Sequence, residues 1–333
     1  MLTVYPWQMN QWQHLQHVIK HDRLPHALLL TGADGIGLND FAIHVVADLL
    51  CESRGDKESP CGACKGCHLR QAGNHPDLFL IGLEEKSKQL SVEQVRDLIE
   101  FMTLKSHAGG YKIAVINPAE AMNRSAANTL LKTLEEPPPQ SLLLLLSHRP
   151  ALLPVTIRSR CQCLVFNGSK STETIRWLAE QLGETVVDPV LLLSLTGGVP
   201  LQAKALIEDG GLECRKMVLA DLQTLQRKQA DPVKVAERWK EHGTAETLHW
   251  LTELIIDMVR LKLTGETSRL TNQDVTDHLQ RLIKTLDLKQ LVDSHDLAQN
   301  NWHQVSGPFN LNSLGLLEEM ATHWLNLGIA NGE

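Results

Sequence analysis

The chain has 333 residues, 43% of them hydrophobic, and a formal net charge of −7 from 32 Lys and Arg against 39 Asp and Glu. That length predicts two or three domains with sizeable cores, and no apolar run reaches the ~18–20 residues of a membrane span. The acidic balance argues against a free-standing nucleic-acid binder, which draws much of its affinity from phosphate contacts, and the scarcity of aromatics (Trp 7, Tyr 2, Phe 5) argues against a base-stacking platform.

The N-terminus, Met1 to Trp7, carries neither a basic flank nor a signal-peptide core, so a cytoplasmic protein is expected. Tyr5 to Lys20 reads as a helix: Pro6 suits a first turn, and Trp12, Leu15, Val18 and Ile19 recur at helical spacing. Trp7 and Trp12 are expected to pack in the core. Next comes an apolar run, His26 to Leu30, then Thr31-Gly-Ala-Asp-Gly-Ile-Gly-Leu-Asn-Asp40, then an amphipathic segment to Leu50. Strand, glycine turn and helix is the layout of a phosphate-binding P-loop, in which backbone N–H groups curl around phosphate oxygens at a helix N-terminus. Gly32, Gly35 and Gly37 fall where such a loop needs them. The lysine that would reach the terminal phosphates is Leu38, and the hydroxyl that would hold Mg²⁺ is Asn39. A glycine-rich turn unrelated to nucleotides has the same spacing, and the loop alone does not separate the two.

Cys51-x9-Cys61-x2-Cys64-x2-Cys67 follows, with a polar stretch between the first two cysteines. Four thiolates so grouped suit a tetrahedral Cys₄ zinc site, and the x2 spacings let knuckle turns present pairs of sulfurs to one ion. Disulfides belong to secreted chains, and an iron–sulfur cluster is the other four-cysteine alternative. His68 and His75 could substitute as ligands, but four cysteines already fill the shell. Cys161, Cys163 and Cys214 read as isolated buried thiols.

Asp77 to Ile81 reads as a strand. Ser91 opens a helix with Gln94 at capping-box spacing, and Val92, Val95, Leu98, Ile99 and Met102 share one face. Lys112 to Asn117 is a second strand. Its end is where a P-loop ATPase keeps an Asp for Mg²⁺ and a Glu that polarises water; these positions read Asn117 and Pro118. Ala121 to Glu136 is predicted helical, stopped by Pro137-Pro138-Pro139. Ser141 to Ser147 reads as a fully buried parallel strand, and Cys163 to Phe166 as another. Alternating strands and helices from 26 to 166 predict a layered α/β domain on a parallel sheet. After the polar linker 167–171 strands disappear. Helices are expected over Ser171–Leu182, Pro189–Leu195 and Leu201–Ile207, and from Gly210-Gly211 to the end. From Thr247, Leu248, Leu251, Ile255, Met258 and Lys262 keep helical spacing, with Trp250, Leu254, Leu261 and Leu263 broadening the apolar face.

Leu130-Leu-Lys-Thr-Leu-Glu-Glu-Pro-Pro138, the Ser159-Arg160-Cys161 triplet, the four-cysteine module and the all-helical C-terminal third together resemble bacterial clamp-loader subunits of the AAA+ superfamily. The missing ATPase groups point to the DNA polymerase III loader and to a subunit of it that does not hydrolyse ATP. The resemblance implies an α/β AAA+ P-loop-like domain over 1–167 with a zinc module at 51–75, a small helical lid over 168–209, and an all-α collar over 210–333 that assembles a five-subunit ring. Arg160 matches the arginine finger that reaches a neighbouring subunit's ATP, with Arg158 as the local alternative and a surface salt bridge as the plain one. Cys51, Cys61, Cys64 and Cys67 match the zinc ligands. Leu201 stands where active relatives keep a lid-helix arginine, so no ATP site of the chain's own is expected. Implied partners are the motor subunits (gamma/tau), the delta subunit and, through the complex, the sliding clamp and primed DNA; no membrane is involved. Two other readings stay open: a divergent motor subunit, needing a replacement cation for which neither Arg23 nor Lys112 can be assigned, and a zinc-dependent DNA-binding module, for which Lys57, Lys65 and Arg70 are offset by Glu52, Asp56 and Glu58.

Overall fold

The structure is a computed structural model describing residues 4–53, 60–84, 87–183, 187–305 and 312–327. It divides into two compact units, residues 1–180 with 198–202, and residues 181–197 with 203–333.

In the first unit, a 3₁₀ turn (Pro6–Gln8) leads into α1 (Met9–Lys20), β1 (Ala27–Gly32) and α2 (Leu38–Leu49). These are followed by α3 (Lys65–Gln71), β2 (Leu78–Gly82), α4 (Val92–Thr103), β3 (Lys112–Asn117), α5 (Arg124–Glu135), β4 (Ser141–Ser147), α6 (Val155–Arg158), β5 (Gln162–Phe166) and all but the last two residues of α7 (Thr172–Leu182). The five strands pair in parallel in the order β2-β3-β4-β1-β5. The leucine runs explain themselves in this sheet. Leu28, Leu30, Leu142, Leu144 and Leu146 enter the cluster shared with α1 and α2. Leu29, Leu143 and Leu145 enter the cluster shared with α4 and α5. A strand covered on both faces has no polar face to alternate with, so all seven residues of β4 are buried. Trp7 and Trp12 pack in the core, as expected.

Local signals fix most boundaries. Ser91 and Gln94 form the reciprocal capping box at the start of α4, with bonds of 3.2 and 2.8 Å. Helix α5 starts at Arg124 rather than Ala121, because the Asn123 carboxamide accepts from the Ala126 N–H at 2.9 Å and residues Ala119–Ala121 close a 3₁₀ turn of their own. The expectation of three buried thiols holds for Cys214 only; Cys161 is half-buried and Cys163 exposed. The reason is topological: β5 is an edge strand, so Leu164 and Phe166 turn inward while Cys163 and Val165 turn out.

In the second unit all described residues outside loops are helical: α8 (Pro189–Leu195), all but the start of α9 (Pro200–Glu208), α10 (Gly211–Gln226), α11 (Pro232–Glu241), α12 (Thr244–Thr264), α13 (Thr276–Leu282), α14 (Leu288–Val305) and α15 (Ser313–Asn326), with short 3₁₀ turns between. Trp239, Trp250 and Trp324 are its largest buried side chains. The wide apolar face of α12 is buried from Leu248 to Leu261, whereas Lys262 and Leu263 in its last turn are exposed. A buried polar network replaces apolar packing at one end. Asp257 accepts from the Asn272 N–H (2.7 Å) and Nδ2 (2.8 Å), and Arg215 donates to Asn272 Oδ1 (2.7 Å) and to both oxygens of Asp274 (2.9 and 2.6 Å). Each buried polar group there has a partner, which is the condition for such a network to be stable. Among the described residues no single helix is long and apolar enough to cross a membrane.

Candidate functional site

In a parallel α/β sheet ligands bind beyond the carboxyl ends of the strands. That edge gathers the ends of β1, β3 and β4. The loop after β1 turns into α2 through Gly37 in the left-handed region (φ 83°), where a Cβ would meet the Gln8 amide and the Tyr5 ring at 2.9 Å each. Residue 37 is therefore confined to glycine by conformation and by space. The N-terminal segment holds this loop. Trp7 Nε1 donates to the Ile36 carbonyl (2.9 Å), and the buried Gln8 amide donates to the carbonyls of Ile36 (2.9 Å) and Gly37 (2.8 Å). Tyr5 stacks on Trp7 with centroids 4.6 Å apart, and Trp177 packs edge-on against both. Asp34 accepts from the Gly35 N–H at 3.0 Å.

The motif positions converge here without their chemistry. Leu38 is 1% exposed and belongs to the apolar cluster under the sheet. Asn39 and Asn117 meet: Asn117 Nδ2 donates to Asn39 Oδ1 at 3.3 Å. The two places that would share Mg²⁺ thus bond to each other. Leu201 packs on the same cluster as Ile36. Lys112 sits at the start of β3, the opposite end of the sheet, with its ammonium 3.3 Å from Asp77. Asp77 also accepts from the Ser106 hydroxyl and the N–H groups of His107 and Ala108; burial alone would raise its pKa, and these donors outweigh it and lower the value. At the loop edge the sequence reading missed Glu120, whose Oε1 accepts from the N–H groups of His148 (3.1 Å) and Arg149 (3.2 Å), and His148, whose Nδ1 lies 3.1 Å from the Gly32 carbonyl. Neither has a local sequence signal, since the bonds span 28 to 116 residues.

Arg160 lies between α6 and β5. The parallel register Leu28↔Gln162 and Gly32↔Phe166 puts it at the amino edge of the sheet, away from the chain's own loop. The strand rise between those register points is about 13 Å. Its guanidinium donates to the Thr156 carbonyl (3.0 Å) and to Glu135 Oε1 at the end of α5 (2.5 Å). Among the described residues the exposed Arg158 side chain makes no hydrogen bond or ion pair.

The four sulfurs of Cys51, Cys61, Cys64 and Cys67 all lie within 4.8 Å of one another, with Cys51–Cys64 at 4.0 Å and Cys61–Cys67 at 3.9 Å. A tetrahedron with metal–sulfur bonds of about 2.3 Å has sulfurs about 3.8 Å apart, so the donor set fits one metal ion. Cys64 caps α3 by accepting from the Cys67 N–H, and the Cys61 and Cys64 N–H groups point at the sulfurs of Cys51 and Cys61. Donation from the Ala63 and Cys64 N–H groups lowers the Cys61 pKa to about 6, while burial, joined by the Cys64 sulfur, pushes Cys67 up to about 12. Gly66 is needed for close approach: a Cβ there would sit 2.4 Å from the Leu50 carbonyl oxygen. His68 is exposed, and His75 is turned to the Asp77 N–H (3.1 Å), so neither histidine joins the cluster.

A five-stranded parallel sheet with a P-loop-like strand, loop and helix, a Cys₄ group that fits one metal ion and a second, all-α unit define a P-loop-like α/β chain with an appended helical unit. Residues 7–170 match the family described as DNA polymerase III, delta subunit, and residues 210–326 match its C-terminal counterpart. The chain is 35% identical to the DNA polymerase III subunit delta' of Pseudomonas aeruginosa over 98% of its own length and 99% of that protein's. It is 30% identical to the subunit delta' of Escherichia coli over 86% of this chain and 85% of that one. A solved gamma-subunit-related protein of Thermotoga maritima overlaps 96% of this chain and 99% of its own at 17% identity, with a TM-score of 0.47. The chain belongs to the DNA polymerase III delta' subunit family.

Proposed function

We propose that this chain is a clamp-loader subunit without ATPase activity of its own, which offers Arg160 to the ATP of an adjacent motor subunit. Its partners are then the motor subunits (gamma/tau) and the delta subunit, and through the complex the sliding clamp and primed DNA. One observation carries the reading. Leu38, Asn39, Asn117 and Pro118 supply no lysine, hydroxyl or carboxylate at the chain's own loop, while Arg160 stands at the far edge of the sheet. An arginine so placed can serve a phosphate only on another molecule. A guanidinium supplied in trans stabilises charge on the transferring phosphoryl group and is worth ~10³–10⁵ in rate. The Cys₄ module holds structural zinc on this reading, because all-thiolate tetrahedral donors suit that ion. The division into an AAA+-like domain (1–167), a lid (168–209) and a collar (210–333) belongs to the same proposal, as does the cytoplasm as the place of action.

The test is ATP turnover, measured for the purified chain and for the complex reconstituted with its motor subunits. The chain alone should give none above background. In the complex, Arg160→Ala should lower turnover at least tenfold with assembly intact by gel filtration. Hydrolysis by the isolated chain that is abolished on mutating Gly37 would sink the proposal.

A further inference from the structure

Arg160 is not idle in the free chain. One terminal nitrogen is bonded to the Thr156 carbonyl one turn back, and the other to the carboxylate of Glu135 at 2.5 Å. The pair is accessible: the side chains are 34% and 51% exposed. Arg158, two residues away, is exposed with no such partner, so the arrangement singles out one arginine of the triplet region. The backbone at Glu135 is fixed from behind. Glu135 is the last residue of α5, which buries Ala126, Ala127, Leu130 and Leu134, and Pro137 follows two residues on. The backbone that carries the carboxylate is thus a packed helix end, and when the Glu135 bond breaks Arg160 keeps the Thr156 carbonyl as a pivot.

A phosphate approaching Arg160 competes with Glu135. Both are anions seeking the same planar donor set, and like charges held together on one guanidinium repel. Resting on the trans-finger reading above, we infer that Glu135 is a positioning residue for Arg160: it parks the guanidinium in the unassembled chain and releases it when a nucleotide-loaded neighbour docks. The half-exposed pair suits a reversible latch, since exposed ion pairs are weak and salt-screened. The latch lowers the fraction of chains with a free finger, and so the apparent affinity of the composite site for its nucleotide.

The experiment uses the full chain in the reconstituted complex, with ATP as the probe. Turnover is followed against ATP concentration for wild type, Glu135→Gln, Glu135→Asp and Arg160→Ala, with assembly checked for each. Freeing the finger should lower the half-saturating ATP concentration about two- to fivefold in Glu135→Gln at unchanged maximal rate, the range expected of an exposed ion pair. Glu135→Asp should restore part of the wild-type value, and the difference should shrink in high salt. A fall in maximal rate in Glu135→Gln resembling that of Arg160→Ala would overturn the latch and make Glu135 a strut that aims the finger. An unchanged half-saturation would overturn it as well. If Arg160→Ala itself leaves turnover intact in an assembled complex, the trans-finger reading fails and the latch falls with it; loss in Arg160→Ala with no shift in Glu135→Gln defeats the latch alone.

Discussion

At Leu38 the proposed loss of the phosphate loop's chemistry is a matter of where a side chain points as well as what it is. Leu38 is buried in the core beneath the sheet beside Phe41, so replacing it with lysine does not put an ammonium on a phosphate. It forces a charge toward an apolar cluster and removes a buried leucine, which contributes about 1.5–3 kcal/mol. The neighbouring groups compound this: Gln8 and Trp7 hold the carbonyls of the loop, and Asn39 is bonded to Asn117 rather than free to become a Mg²⁺ ligand. We expect the double variant Leu38→Lys/Asn39→Thr to unfold at lower urea concentration than wild type, with a loss on the order of 2 kcal/mol or more, and to gain neither ATP binding nor hydrolysis. Nucleotide titration by calorimetry beside a urea melt checks both halves. Tight, saturable ATP binding in that variant would mean that the loop is two substitutions from function.

Among the elements, α14 and α15 carry a titratable contact inside the helical unit. Ser294 on α14 donates to the Gln290 carbonyl at 2.7 Å, and His323 on α15 lies 2.9 Å from the same hydroxyl, which fixes Nε2 as the donor to it. Burial lowers the His323 pKa below its ordinary value of 6.5, against a smaller opposing pull from Asp293 and Glu319. The sign follows from linkage. As pH falls through about 6.5 the unfolded chain takes up a proton that the folded chain resists, so stability present above that pH declines below it, by no more than about 1.4 kcal/mol per pH unit. Urea midpoints at pH 7.5 and 5.5, read on the buried Trp239, Trp250 and Trp324, should diverge more in wild type than in His323→Gln; equal divergence would remove His323 as a cause. Nothing in the sequence marks this pair, which is 29 residues apart. The elements themselves were legible because their signals are local: leucine runs too apolar for a one-sided strand, Ser91 with Gln94, prolines after Glu136. What escaped depends on topology. Cys163 reads as buried until β5 is known to be an edge, and the start of α5 follows from Asn123 rather than from the apolar period. The candidate site divides the same way. The cysteine spacing, the degenerate glycine loop and Arg160 were visible as patterns, whereas Gln8 on the loop carbonyls and Glu135 on Arg160 are pairings across 29 and 25 residues that no pattern encodes.

For the molecule as a whole, the two units draw on separate sources of stability, and metal removal should tell them apart. The Cys₄ module belongs to the first unit, where α3 is a helix of only 7 residues with Gly66 and Cys67 as its buried residues. So small an element has little core of its own, and on the proposed reading zinc substitutes for one: in comparable small modules it contributes ~10–16 kcal/mol of apparent folding free energy. The second unit has its own apolar core around three buried tryptophans and a satisfied polar network at Asp257 and Arg215. Cys64→Ser should therefore take bound zinc from one ion per chain to none, as counted by a chromogenic chelator. Amide exchange should then rise sharply across 60–75, where the Cys67 N–H loses its sulfur acceptor, while α12 keeps its protection. Exchange rising equally in α12 would show that the metal supports the whole chain, and full zinc retention in the variant would show that the four sulfurs are not the site. Local loosening alone would identify the module as an independently stapled part of the first unit, leaving the Arg160 edge and the helical unit to act without it.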